Sequence, residues 1–122
     1  MPPGRAVTDT SPLLNLAFTD RLHLLDQQFS TVLVPDAVLD EIREGEEGAE
    51  VVLDLVDTGL LATVEVARDD LFEELAREID HGEAAVIRHA IDAGIDRVII
   101  DEREGRAAAR RHDLHPTGVV GI

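Results

Sequence analysis

The chain has 122 residues, of which 44% are hydrophobic, so it is long and apolar enough to bury the core of one domain. It contains no cysteine, which excludes disulfides, thiolate catalysis and cysteine-ligated zinc. Its 26 acidic and 11 basic residues give a net charge of −15, and all of the basic residues are arginine.

The hydropathy pattern gives no sign of a membrane protein. No apolar run approaches the roughly 18 residues that a membrane-spanning helix needs, and the N-terminus lacks the apolar segment of a signal peptide. We therefore expect a cytoplasmic protein that has no membrane partner.

The negative charge bears on the class of ligand. A chain this acidic repels nucleic acid at long range, because such binding normally depends on cationic side chains. An acidic, lysine-free composition is typical of a salt-rich cytoplasm, where the repulsion is screened over about 3 Å at 1 M salt. The charge therefore weakens the case for a nucleic-acid ligand without excluding one.

The first third of the chain alternates short strands and helices. Residues 6–8 are expected to form a strand that ends at Asp9, followed by a helix with Ser11 as its N-cap. Asp20 is expected to cap the next helix. The apolar residues 31–34 predict a buried strand, and Pro35 is expected to open a helix.

The rest of the chain continues this alternation. The expected elements are a helix within residues 46–59, a strand over 61–66, a helix capped by Asp69 or Asp70, a helix over 82–93 stopped by Gly94, a strand over 97–100, an arginine-rich helix to about His112, and a strand over 117–120. This pattern predicts one α/β domain over residues 1–122, a three-layer α/β/α sandwich with a mainly parallel sheet.

Two carboxylates follow strands directly. Asp9 and Asp101 each come after apolar strand residues, and parallel strands present their carboxyl ends at one edge of the sheet. We therefore expect the two side chains to lie close together. The alternative is that each aspartate only caps the helix that follows it.

Two glutamates on helices are further candidates. Glu83 lies four residues before Ile87 and continues the buried stripe of its helix, where a carboxylate must be paired, protonated or bound to metal. Its spacing from Asp80 also fits a capping box, which is the alternative. Glu41 lies at the edge of an apolar stripe, and its alternative is a solvated helix carboxylate.

Together these four carboxylates would form a site with oxygen ligands alone. Such a site selects Mg²⁺ or Mn²⁺, which can activate a water molecule and stabilise the leaving oxygen in phosphodiester hydrolysis. Arg103, Arg106 and Arg110 recur at helical spacing just after Asp101 and could receive a phosphate backbone. The alternative is that they pair with nearby glutamates or with the helix dipole.

Four segments carry a family resemblance: VTDTSPLLNLA at residues 7–17, PDAVLDEI at 35–42, IDHGEAAVI at 79–87 and VIIDEREGR at 98–106. In order and spacing they resemble the PIN-domain superfamily, and most closely its prokaryotic branch related to VapC-like toxins. The resemblance covers essentially the whole chain. It implies a Mg²⁺- or Mn²⁺-dependent endoribonuclease, the toxin of a type II toxin–antitoxin system, with an RNA substrate, an antitoxin partner and a homodimeric state.

The resemblance also implies roles for individual residues. The family's acidic quartet maps to Asp9, Glu41, Glu83 and Asp101, all both catalytic and metal-binding. Relatives with Thr-x-Asp at the last of these positions would align Glu102 instead, and Asp101 is preferred because it ends the strand directly. The expected substrate-binding residues are Thr10, Ser11, Asn15, Arg103 and Arg106.

The same residues have two alternatives to an active nuclease. Receiver domains and haloacid-dehalogenase-type phosphatases also gather aspartates at strand ends, but both require a lysine, which this chain lacks. A PIN-like module that binds nucleic acid or protein without cutting remains open. Relatives usually carry a further C-terminal helix, which this sequence is expected to lack.

Overall fold

A computed structural model describes residues 4–43, 49–59 and 61–122. Within them the central sheet has five strands: β1 Arg5–Thr8, β2 Thr31–Pro35, β3 Leu61–Val64, β4 Arg97–Ile99 and β5 His115–Thr117. Their order across the sheet is β3-β2-β1-β4-β5, and every neighbouring pair is parallel. The expected parallel α/β architecture is thereby confirmed.

Seven α-helices in the described residues lie on both sides of this sheet and make the expected three-layer sandwich. They are α1 Thr10–Phe18, α2 His23–Gln28, α3 Asp36–Arg43, α4 Ala49–Thr58, α5 Asp70–Ala76, α6 His81–Ala93 and α7 Arg103–Arg111, and a 3₁₀ helix spans Val119–Gly121. None of these helices combines the length and the apolar character that crossing a bilayer would require.

Helix α6 is the central element of the packing. It contacts β1, β2 and β4, and also α3, α5 and α7. Its buried face includes Val86, Ile87 and Ala90, and the strands that it contacts carry fully buried residues such as Val7 and Val98. Each large aliphatic side chain buried in this way contributes about 1.5–3 kcal/mol. The core thus fixes the first turn of α6 near the carboxyl ends of the central strands.

The limits of α6 follow from local chemistry, and the expected helix agrees with them to within one residue. Asp80 caps its N-terminus by accepting a hydrogen bond from the Glu83 N–H at 2.8 Å. Gly94 ends it in the left-handed conformation with φ of 69°, which glycine adopts without steric cost. Arg88 donates to the carboxylate of Asp69, the cap of α5, at 2.6 Å, and so ties the two helices together.

Two predicted helix caps at the start of the chain are wrong. Helix α1 begins at Thr10, so Asp9 is its N-cap and Ser11 lies inside the first turn. Asp20 ends α1 instead of starting the next helix, with φ of 55°. The N–H of Arg21 donates to the Leu16 carbonyl at 2.8 Å, which is the terminating pattern of a helix.

Two other predicted boundaries are also corrected. Pro35 closes β2 instead of opening α3, because it still pairs in register with Val64. The last strand is β5 at 115–117, not 117–120, because the His115 N–H donates to the Asp96 carbonyl at 2.7 Å. The residues after β5 turn into the 3₁₀ helix. Residues 46–48 of the expected fourth helix lie outside the described part of the chain.

Candidate active site

The carboxyl ends of β1 and β4 meet at the centre of the sheet. The strand order changes direction at β1, and a crevice forms at such a switch point in open parallel sheets. The N–H of Asp9 donates to the Ile99 carbonyl at 3.0 Å, so the backbone after β1 is fixed against the end of β4. The residues that follow these two strands therefore share one edge.

Asp9 presents a buried carboxylate at this edge. The residue is 5% exposed, and although it is the N-cap of α1, its side chain makes no capping hydrogen bond. The alternative that Asp9 serves as a helix cap through its carboxylate therefore does not describe this structure. Its oxygens remain available to other groups at the crevice.

Glu41 reaches the same crevice from α3. The hydroxyl of Thr10 donates to Glu41 Oε2 at 2.8 Å, although the two residues are 31 positions apart in the chain. This bond orients the glutamate side chain towards the start of α1, next to Asp9. Glu41 is exposed as a residue, but its carboxylate is held in place by this contact.

Gly82 marks the point where three carboxylates converge. A β-carbon at this position would lie 2.9 Å from Asp9 Oδ1, 3.2 Å from Glu41 Oε1 and 3.5 Å from Asp80 Oδ1. Asp80 was expected only as a helix cap, and it performs that function too. Nothing in the sequence indicated that its carboxylate also lies near those of Asp9 and Glu41, because helix capping alone explains an aspartate before a helix.

Glu83 is buried beneath this group and is 4% exposed. Its Oε1 accepts a long hydrogen bond of 3.4 Å from the Asp80 N–H, so the capping box that was the alternative interpretation is present. Its Oε2 has no hydrogen-bond partner among the described residues. A capping box therefore accounts for one oxygen of Glu83 and leaves the other buried and unpaired.

Burial and mutual repulsion change the acidity of these groups. Burial raises the pKa of Asp9 to about 7, the backbone of Thr10 opposes the rise, and the neighbouring Asp80, Glu41 and Glu102 carboxylates add to it. Burial also raises the pKa of Glu83, with further contributions from Asp80 and Asp9. Among the described residues, no arginine or histidine forms an ion pair within 4 Å with these carboxylates.

The two acids after β4 differ in their surroundings. Asp101 Oδ1 accepts a hydrogen bond from the Val119 N–H at 2.8 Å and lies beside Gly118. Repulsion from the Glu102 carboxylate contributes to the raised pKa of Asp9. The carboxylate of Asp101, preferred from the sequence, is thus engaged with the C-terminal 3₁₀ turn. We define the acidic cluster as Asp9, Glu41, Asp80, Glu83 and Glu102.

The expected substrate-binding residues lie in different surroundings. Thr10 is buried within the acidic cluster, whereas Ser11 and Asn15 are exposed one helical turn apart on α1. Arg103 is exposed at the start of α7, and Arg106 is half-buried. Among the described residues, no ion pair within 4 Å joins Arg103, Arg106 or Arg110 to an acid, whereas Arg111 pairs with Glu78 at 2.7 Å.

The chemistry of the acidic cluster suits a hard divalent cation, but the side chains do not form a coordination shell. In the part of the chain that is described, no group of three or more Asp, Glu, His or Cys side chains is arranged to hold a metal ion. Mg²⁺ requires oxygens at about 2.0–2.1 Å from the ion, and the described carboxylates are not arranged to supply three such oxygens to one point. These carboxylates would have to rotate inward to bind an ion.

Comparison with known proteins identifies the family. Residues 5–122 match the family model described as PIN domain, and the chain therefore belongs to the PIN-domain family. PIN domains are generally nucleases. The chain also resembles the crystal structure of PAE2754 from Pyrobaculum aerophilum, with a TM-score of 0.59 and 16% identity over 95% of this chain and 90% of that one. At 16% identity, this likeness shows only that the two chains share a fold. No curated protein matches the chain.

Proposed function

We propose that this chain is a divalent-cation-dependent endoribonuclease whose acidic cluster binds Mg²⁺ or Mn²⁺. The observation that carries the proposal is the convergence of Asp9, Glu41 and Asp80 oxygens around Gly82, next to the buried Glu83. Membership of a nuclease family supports hydrolysis of a phosphodiester bond. The short distances of the Asp9, Glu41 and Asp80 oxygens from one point at Gly82 support such a site in this chain.

Three properties of the acidic cluster fit a metal ion. Its ligands are carboxylate oxygens, which hard cations prefer. The Oε2 of Glu83 is buried without a hydrogen bond, and a carboxylate in that state costs free energy unless a proton or a cation compensates it. Burial, and after it repulsion from the neighbouring Asp80, Glu41 and Glu102 carboxylates, raises the pKa of Asp9, and a bound cation would stabilise the ionised carboxylate against both.

We assign the ion-binding role to Asp9, Glu41, Glu83 and Glu102, and leave out Asp80 because the Oδ1 that it directs towards Asp9 and Glu41 accepts the Glu83 N–H as the cap of α6. Glu102 takes the place of Asp101 in this set because the Asp101 carboxylate accepts a hydrogen bond from the Val119 N–H, whereas repulsion from Glu102 contributes to the raised pKa of Asp9. A bound ion would activate a water molecule and offset charge on the phosphate. The hydroxyl of Thr10 would keep Glu41 oriented towards that ion, and the Asp80 N–H would fix Oε1 of Glu83.

The choice of RNA as the substrate rests on the resemblance to VapC-like toxins. Ser11 and Asn15 are exposed on α1 beside the acidic cluster and are available to contact an RNA strand. Arg103 and Arg106 would contribute positive charge from α7. A toxin role with an antitoxin partner and a homodimer rests on the same resemblance, and we offer it as part of the proposal.

Cleavage assays test the proposed function directly. Purified wild-type protein is incubated with a panel of structured and single-stranded RNAs in Mn²⁺, in Mg²⁺ and in EDTA. We expect cleavage that EDTA abolishes and that Asp9→Asn lowers by at least about 10²-fold, the scale on which a lost catalytic interaction acts. The matched control is Asp40→Asn, which changes the same charge at an exposed position.

A wild type that binds RNA without cutting it in either metal would favour the non-catalytic PIN-like module instead. A wild type that cuts DNA and leaves every RNA intact would keep the nuclease and overturn the choice of substrate.

A further inference from the structure

A groove of about 530 Å³ lies between α7 and the C-terminal turn. Its lining includes Gln28, Arg97, Asp101, Arg106, Thr117 and Gly118. Asp101, which lines the groove, is adjacent in sequence to Glu102, a member of the acidic cluster. The groove then follows β5, the edge strand of the sheet.

Two arginines, Arg97 and Arg106, line this groove of an acidic chain. Arg106 is half-buried, with Nη1 at 3.0 Å from the position of a β-carbon on Gly118. Neither Arg106 nor Arg97 forms an ion pair within 4 Å with any described residue. In a chain with 26 acidic residues against 11 arginines, two guanidinium groups without a close ion pair share this groove with one carboxylate, that of Asp101, and together they are complementary to an anion.

The wall opposite α7 is held by hydrogen bonds from three directions. The Val119 N–H donates to Asp101 Oδ1 at 2.8 Å, and the Ile100 N–H donates to the Thr117 carbonyl at 3.0 Å. The amide of Gln28 donates to the Ile122 carbonyl at 2.6 Å. These bonds fix the 3₁₀ turn relative to the strands, so the groove is preformed.

Gly118 keeps this wall close to Arg106. A β-carbon there would lie 2.9 Å from Asp101 Oδ1 and 3.0 Å from Arg106 Nη1. Any side chain would therefore displace the carboxylate that holds the turn or the guanidinium that faces the groove. The glycine allows both groups to approach the same point.

We propose that this groove binds the phosphodiester backbone of one nucleic-acid strand leaving the acidic cluster, with a phosphate on the guanidinium of Arg106. The proposal rests on the proposed function, because it takes a nucleic acid to be the ligand. Arg97 extends the positive charge further along the groove. Asp101 acts as a positioning residue by holding the turn that forms the wall.

The test measures binding of a fluorescein-labelled single-stranded RNA by fluorescence anisotropy over a series of KCl concentrations. The buffer contains Ca²⁺, and a gel confirms that the probe stays intact. Arg106→Gln should weaken binding about tenfold, as expected for loss of a charged hydrogen bond to phosphate. It should also lower the slope of log K against log salt by about 0.7.

The matched control is Arg77→Gln, which removes the same charge from an exposed residue at the end of α5, outside the groove. It should leave both the affinity and the salt slope close to wild type. Circular dichroism verifies that each variant is folded. Arg106→Lys, which keeps the charge but loses the planar fork, should fall between wild type and Arg106→Gln.

Three results would overturn the proposal that this groove binds a nucleic-acid strand. If the wild type cuts RNA and Arg106→Gln binds RNA as tightly as the wild type does, the proposed function stands but the groove does not bind the strand. If Arg106→Gln and Arg77→Gln weaken binding equally, the effect is one of overall charge and the groove is rejected. If the wild type neither binds nor cuts RNA, the groove and the proposed function fail together.

Discussion

The carboxylate of Glu83 occupies the space that a β-carbon on Gly105 would fill. Helix α7 can therefore pass close to the start of α6 only because residue 105 has no side chain. Ile100 Cγ2 also lies 2.9 Å from that position, so the space is closed on two sides. This approach brings the N-terminus of α7, where Glu102 is the N-cap, close to the start of α6.

Gly105→Ala should destabilise the chain and reduce nuclease activity together. Alanine in a helix gains up to about 1 kcal/mol over glycine, whereas overpacking a filled site costs about 1–3 kcal/mol. We therefore expect a net loss in the free energy of unfolding, measured by urea denaturation, and displacement of Glu83. Gly4→Ala is the control, because nothing lies within 4 Å of its β-carbon position. An unchanged cleavage rate in a folded Gly105→Ala variant would contradict this packing.

Gly82→Ala should act on metal affinity. Its new methyl group would lie between the oxygens of Asp9, Glu41 and Asp80, and 2.9 Å from the nearest of them. The carboxylates would be pushed apart, and disturbing groups around a metal in this way typically costs 10- to about 100-fold in affinity. Isothermal titration with Mn²⁺ measures the loss. Wild-type affinity in this variant would show that the ion binds elsewhere.

The two acids that follow β4 should respond differently to substitution. Glu102→Gln should weaken Mn²⁺ binding by about 10- to 100-fold. Asp101→Asn keeps an acceptor for the Val119 N–H and should leave Mn²⁺ affinity close to wild type. The same titration checks both variants. If Asp101→Asn lost Mn²⁺ binding while Glu102→Gln bound Mn²⁺ normally, the fourth metal ligand would be Asp101, as its position at the end of the strand predicts.

The raised pKa of Asp9 predicts a pH dependence of stability in the metal-free chain. Between its ordinary value near 3.8 and the folded value of about 7, the folded state binds more protons than the unfolded state. The free energy of unfolding should therefore fall as pH rises through this range. Asp9→Asn should remove that part of the slope, while Asp40→Asn should not. Urea denaturation at several pH values in EDTA measures the difference.

Added Mn²⁺ should reverse this loss of stability at neutral pH. A cation bound to the ionised carboxylates stabilises the folded state by mass action, and by about 2.7 kcal/mol at one hundred times the dissociation constant. The thermal midpoint of wild type at pH 7 should rise with Mn²⁺ concentration. A midpoint that rises equally in Asp9→Asn would show a general salt effect instead.

The sequence alone predicts the fold well because its signals are local. Buried apolar runs mark β1 and β2, and Asp80 and Gly94 delimit α6. The boundaries that were wrong depend on contacts that are distant in sequence. Pro35 stays in β2 because of its pairing with Val64, and β5 is positioned by Asp96 and Ile100.

The candidate site could be predicted only in part for the same reason. Asp9 follows a strand and Glu83 continues a buried stripe, so both were indicated by local pattern. Whether Asp101 or Glu102 faces Asp9 depends on the Val119 N–H, which lies 18 residues beyond Asp101. The placement of Asp80 near Glu41 depends on how α3 packs against α6. Neither contact can be predicted from the residues that are close in sequence.

The most direct test of the acidic cluster as a metal site is an anomalous difference map from a crystal grown with Mn²⁺. We predict a peak bound by Asp9 together with at least two of Glu41, Glu83 and Glu102, and none at Asp101. A folded, crystalline protein in saturating Mn²⁺ with no peak at any of these carboxylates would contradict the central claim.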